Sequence, residues 1–92
     1  MILSFQHKGL QRFFDSGSVA GIQPHHAGKL RELLTALHAA NSPDDLARPS
    51  WRYHRLKGEL GEYASLTING NWRLIFRWHG QDVELLDYLD YH

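Results

Sequence analysis

The segment NWRLIFRW, residues 71–78, constrains the fold more than any other stretch of the chain. Apolar Trp72, Leu74, Phe76 and Trp78 alternate with Arg73, Ile75 and Arg77, and a period of two marks an extended strand with one face turned to a core. Turn residues close it at both ends: NGN lies between Ile68 and Trp72, where Asn and Gly tolerate positive φ, and HGQD follows Trp78. YASLTI before and VELLDY after those turns also read as strands, and WRYHRLK, ending at Gly58, reads as a fourth. Strands joined by such short turns must be largely antiparallel, because parallel neighbours need long crossovers.

The first fifty residues follow another period. Leu10, Phe13 and Phe14 recur at helical spacing, and Gly17 stands where a helix would terminate. Pro24 fits the first turn of a second helix, whose apolar stripe is Leu30, Leu33, Leu34 and Leu37 with Ala27 upstream, and whose end falls near Asn41. NSPDDLARP is a turn-rich connection, and the opening ILSF suits a first or edge strand. Ninety-two residues, 42% hydrophobic and 22% charged, make a single domain, 1–92. The expected class is α/β in the α+β sense, with two early helices covering one face of the sheet and the other face left for work.

Several functional classes find no support. Cysteine is absent, so there is no disulfide framework and no thiolate metal site. MILSFQHKGL is too short an apolar run for a signal peptide, and no stretch approaches the roughly 20 apolar residues of a membrane span. A cytoplasmic protein with no membrane partner is expected. There is no zinc motif, no glycine-rich phosphate loop and no Ser-His-Asp signature. His25 and His26 diverge by about 100° at a helix start, and His7, His38 and His79 have no partner at ligand spacing. Neither a metal nor a cofactor is expected.

Net charge is zero with histidines neutral, yet its distribution is uneven. Residues 48–80 carry Arg48, Arg52, Arg55, Lys57, Arg73 and Arg77 against Glu59 and Glu62, whereas residues 81–92 carry only Asp82, Glu84, Asp87 and Asp90. Such asymmetry either neutralises itself across a sheet or sets a phosphate-binding surface beside acidic groups. Arg73 and Arg77 share the face opposite the apolar row, which is a solvated exterior on one reading and a phosphate-holding floor on the other. His54, between Arg52 and Arg55 with Lys57 downstream, is the side chain there able to exchange a proton near neutral pH, although a strand histidine is more often a packing residue. Alternation puts His54 and Leu56 on one face and Lys57 on the other, so a bend before Gly58 is needed to bring the lysine round.

These residue types fit one reaction. Cleaving RNA by attack of a 2′-hydroxyl on the adjacent phosphate requires a base, an acid for the leaving group, and cations for the charge that accumulates on the phosphoryl oxygens. Histidine and aspartate suit the first two tasks, arginine and lysine the third, and an aromatic ring such as Tyr91 can stack on a splayed base. The ending DYH supplies an acid, a ring and an imidazole together.

HRLKG, then YASLTINGNWRLIFRW, then DYLDYH resembles the HigB-type toxins of bacterial type II toxin–antitoxin systems, within the RelE superfamily, and the opening MILSFQHKGL fits the same pattern. The resemblance implies a RelE-like fold, with two N-terminal helices on one side of a curved, mostly antiparallel sheet. It implies an endoribonuclease that cuts mRNA in the ribosomal A site during translation, silenced by a HigA-type antitoxin bearing a helix-turn-helix domain, so that DNA is met only through the antitoxin. Carried onto matching positions, it places the site at His54, Lys57, Arg73, Asp90, Tyr91 and His92. Lys57 and Arg73 would stabilise the phosphate, Tyr91 would orient the nucleotide, and His54, Asp90 and His92 would share proton transfer, with base and acid left open among them. On this resemblance the C-terminus belongs to the active site. Net neutrality gives little long-range steering toward the ribosome, so a local patch is expected to face RNA, with Arg48, Arg52, Arg55 and Arg77 as its candidates. Two other readings share the fold: a ParE-like inhibitor of DNA gyrase that cuts nothing, and an inactive antitoxin-binding module.

Overall fold

The computed structural model describes residues 1–91, and among them helix α1 spans Lys8–Ser16 and helix α2 spans Ala27–Ala39. A four-stranded sheet follows: β1 His54–Arg55, β2 Tyr63–Asn69, β3 Trp72–His79 and β4 Asp82–Asp90, in chain order and antiparallel throughout. Sequence signals place the helix ends. His7 caps α1, its Nδ1 accepting the Leu10 N–H at 2.9 Å, which is the task a short polar side chain usually performs. Gly17 closes the helix at φ 79° with its N–H on the Phe13 carbonyl. Pro24 opens a 3-10 turn, Pro24–His26, that leads into α2.

The core lies between the helices and one face of the sheet. Leu10, Leu30, Leu33, Leu34 and Leu37 of the helices meet Leu66, Leu74, Phe76, Val83 and Leu86, all essentially without solvent contact. Helix α1 crosses the following loop backbone to backbone, since a Cβ on Gly9 would stand 2.7 Å from the Gly21 Cα.

Two strand expectations need correction. The opening run, expected as a first or edge strand, does lie along the β4 edge but forms only two isolated parallel bridges, through Leu3 N–H to the Val83 carbonyl at 2.8 Å and Gln6 N–H to the Leu86 carbonyl at 2.7 Å. Leu85, φ 58°, forms a bulge in the β3–β4 pairing, where Ile75 faces Asp87 but Arg77 faces Glu84, and its N–H turns to Ser4 Oγ. WRYHRLK is extended only at His54 and Arg55 in the sheet. Its start is a 3-10 turn, Pro49–Trp51, which carries the Trp51 ring into the core, and Arg52 then reverses the backbone in the left-handed region at φ 51°. Burying that indole outweighs three or four more residues of edge pairing.

The outer face of the sheet is also less bare than alternation suggests. Register aligns His54, Ser65, Ile75 and Asp87 across the four strands, and Ser65 and Ile75 are almost fully buried there.

Candidate active site

The outer face carries His54 on β1 and Arg73 on β3. Register sets them two strands and two residues apart, a backbone separation of about 12 Å that two long side chains and a phosphodiester can bridge. His54 is held by its own loop. Its Nδ1 lies 3.1 Å from the Arg52 carbonyl, which the left-handed turn at Arg52 directs at the ring, and 3.4 Å from Ser65 Oγ. A carbonyl only accepts, so Nδ1 carries the proton and the neutral ring presents its lone pair on Nε2. That is the arrangement of a proton acceptor facing outward.

Arg73 is anchored at the hairpin tip. One Nη1 donates to the carbonyls of Gly70, at 2.6 Å, and Trp72, at 3.2 Å. The Gly70 carbonyl is available because Gly70 takes φ 57° at the turn. The carbonyl between those two, of Asn71, accepts the Tyr91 N–H at 2.8 Å, so one hairpin tip fixes both Arg73 and the residue after β4. The Tyr91 ring is exposed.

The remaining site residues fall apart from this pair in instructive ways. Lys57 is exposed and its backbone is extended, and the chain turns only after it, at Gly58, φ 73°, into the 3-10 turn Gly58–Leu60. The bend expected before Gly58 is therefore absent, and the lysine's reach to the outer face rests on the length of its side chain at the β1 edge. Asp90 pairs with Trp72, which by alternation puts it on the helix-bearing side of the sheet, opposite Arg73. There it lines a depression of about 420 Å³ with His7, Gly21, Gln23, Trp72 and Tyr88. His92 lies outside the described residues.

The expected basic patch divides. Arg77 donates through Nε, at 2.8 Å, and Nη2, at 2.5 Å, to Glu84 and lies 3.4 Å from Glu62, and the hydrogen bond to Glu84, with the charge of both carboxylates behind it, raises its already high pKa. Arg48 pairs with Glu32 at 3.1 Å and lies over Trp51. Both guanidinium groups are thus matched by carboxylates within the fold, and neither is the uncommitted cation the sequence suggests. Arg55 reaches the Gly61 carbonyl, and among the described residues neither Arg55 nor Arg52 has an ion pair. The charge asymmetry therefore resolves partly by neutralisation, β3 to β4 through Arg77 and Glu84.

Ser65 is the site residue that sequence reasoning missed. It is 1% exposed and touches His54 Nδ1, but only cross-strand register joins the two, and no local pattern signals it. No helix among the described residues is long and apolar enough to cross a membrane. Nor do three His, Asp or Glu side chains among them converge as a metal site.

Comparison with known proteins adds three findings. The family model for the RelE-like toxin HigB of type II toxin–antitoxin systems matches residues 3–92. The Endoribonuclease HigB of Proteus vulgaris is 36% identical over 92 residues, covering 100% of both chains, and Toxin HigB-1 of Vibrio cholerae is 34% identical over 94 residues, covering 100% of this chain and 98% of its own. Among solved structures, the YoeB–YefM complex from Staphylococcus aureus shares the fold with a TM-score of 0.64 at 19% identity, over 100% of this chain and 95% of that one. The YoeB dimer from the same organism gives 0.61 at 18%, over 99% and 94%.

Proposed function

The chain belongs to the HigB-like, RelE-like toxins of type II toxin–antitoxin systems and is an endoribonuclease toxin of that family, and we propose that it cuts mRNA held in the ribosomal A site. The observation that carries the proposal is the pairing, on one outer face, of an imidazole with an outward acceptor nitrogen and a tethered guanidinium. His54 Nε2 takes the proton of the 2′-hydroxyl as its oxygen attacks the adjacent phosphorus. The bond from phosphorus to the 5′-oxygen breaks, that oxygen receives a proton from His92, since Asp90 lies on the other side of the sheet, and the products are a 2′,3′-cyclic phosphate and a 5′-hydroxyl. Arg73 keeps Nη2 and Nε for the non-bridging oxygens after Nη1 is spent on the hairpin carbonyls, and Lys57 adds a second positive charge. Tyr91 stacks on a base next to the scissile phosphate and keeps the sugar in line.

The ribosome supplies what the protein lacks. With zero net charge and Arg48 and Arg77 committed to carboxylates, the chain has a small basic surface, in which Arg52 and Arg55 are the residues left to meet RNA. A substrate held and bent by the A site removes the need for an extended binding groove. An antitoxin partner follows from family membership, and a HigA-type helix-turn-helix protein is the proposed one, through which DNA is reached. The cytoplasm is the proposed location, because that is where a toxin acting on ribosomes meets its substrate.

The test is to incubate the purified protein with one synthetic mRNA, free and programmed on 70S ribosomes. Cleavage only in the programmed sample is expected. Equal cleavage of free RNA would remove the ribosome from the proposal, and intact RNA in both with loss of DNA supercoiling activity would replace it with gyrase inhibition.

A further inference from the structure

We infer that His26 and Tyr88, buried on the helix-bearing side of the sheet, are positioning residues for the proposed site on the other side, acting through Trp72 and the hairpin tip. The inference rests on the nuclease reading above. Tyr88 accepts the Gln23 N–H at 3.2 Å, so its own hydroxyl proton is free to point at His26 Nδ1, 2.6 Å away. With the phenol proton in this bond, Nδ1 accepts and the imidazole is the Nε2–H tautomer. Among the described residues that Nε2 is buried with no hydrogen-bond partner, which costs the folded state. What the ring gains is its place: it lies edge-on to Trp72, centroids 5.4 Å apart, while Tyr88 stacks on the same indole at 4.8 Å and 30°.

Trp72 is therefore clamped on its core side by two rings whose relative position a single hydrogen bond sets. Its backbone sits in the three-residue tip whose carbonyls hold the site. Gly70 and Trp72 accept from Arg73, Asn71 accepts from the Tyr91 N–H, and Trp72 itself pairs with Asp90. A shift of the indole moves the anchor of Arg73 and the end of β4 together. Catalysis of an in-line attack falls steeply when reacting groups move by an ångström, which is how a remote hydrogen bond reaches the rate.

The experiment compares single-turnover cleavage of ribosome-bound mRNA by the full chain and by Tyr88→Phe, His26→Leu and His26→Asn, well below every melting temperature. Leu46→Val, a core change in the 3-10 turn Pro43–Leu46, controls for lost stability alone. Tyr88→Phe and His26→Leu are expected to slow cleavage about 10- to 100-fold with ribosome affinity unchanged. His26→Asn, whose side-chain oxygen can take the place of Nδ1, is expected to recover most of the rate, and Leu46→Val to keep it. Amide exchange at Tyr91 should quicken in Tyr88→Phe and not in Leu46→Val. Wild-type rates in Tyr88→Phe and His26→Leu, or losses that follow melting temperature across all four variants, would overturn the inference. Should the wild-type chain cut nothing, the nuclease reading fails, and Tyr91 exchange then decides the positioning by itself, unchanged exchange in Tyr88→Phe overturning it.

Discussion

Arg73 and Arg77 leave the same strand on the same side, four residues apart, and the fold gives them opposite fates. Arg73 is tethered by one nitrogen and keeps the rest, while Arg77 is saturated by Glu84 and Glu62. Arg73→Ala is expected to reduce cleavage about 100- to 1,000-fold, the scale on which one donor to a transition-state oxyanion is removed. Arg77→Ala is expected to leave the single-turnover rate within about threefold, because a guanidinium held by carboxylates contributes little to an added phosphate. His54→Ala should cost about 100- to 10,000-fold, with circular dichroism unchanged for all three, and unfolding of His54→Ala would reassign His54 to structure. That the arginines share a face is plain in the alternation of NWRLIFRW. Their difference is not, because Glu84 reaches Arg77 only through the extra residue at Leu85, and nothing in a leucine announces φ 58°. The same limit hides Ser65 beneath His54.

At the scale of elements, the sequence is most legible where local chemistry decides the backbone. Gly17 ends α1, Pro24 opens the turn into α2, and Gly70 and Gly80 take positive φ in the two hairpins. It is least legible where a distant partner decides. WRYHRLK has the composition of a strand but yields to the burial of Trp51, and ILSF finds its place only against β4. Gly9 and Gly21 show the same thing in packing, since neither sits at positive φ and each is required because the other's backbone is 3 Å or less from where a side chain would begin. Gly9→Ala is expected to destabilise the fold by about 1–3 kcal/mol, read as a lower urea midpoint with an unchanged slope. A midpoint equal to the wild type would mean that the helix and loop separate freely.

For the molecule as a whole, the buried histidine couples stability to pH. Burial, and next the charge of His25, lower the pKa of His26 below its ordinary 6.5, so the unfolded chain binds that proton more readily than the folded one. This contribution is present in full above about pH 6.5 and is lost as pH falls from there through the lowered value. The urea midpoint should therefore drop between pH 7.5 and pH 5.5, and drop less in His26→Asn, whereas parallel declines would place the titration elsewhere. The same molecule joins a neutral chain, a full-length likeness to an endoribonuclease HigB and one outer face holding His54 and Arg73, and on these rests the proposal of a nuclease that borrows its substrate's geometry from the ribosome. The direct test maps mRNA 5′ ends by primer extension in a translation reaction and determines the chemistry of those ends, for the wild type beside Arg73→Ala and His92→Ala. The account predicts cuts within the A-site codon that bear 5′-hydroxyl groups and vanish in both variants. Intact mRNA, or scattered ends bearing 5′-phosphates, would contradict it.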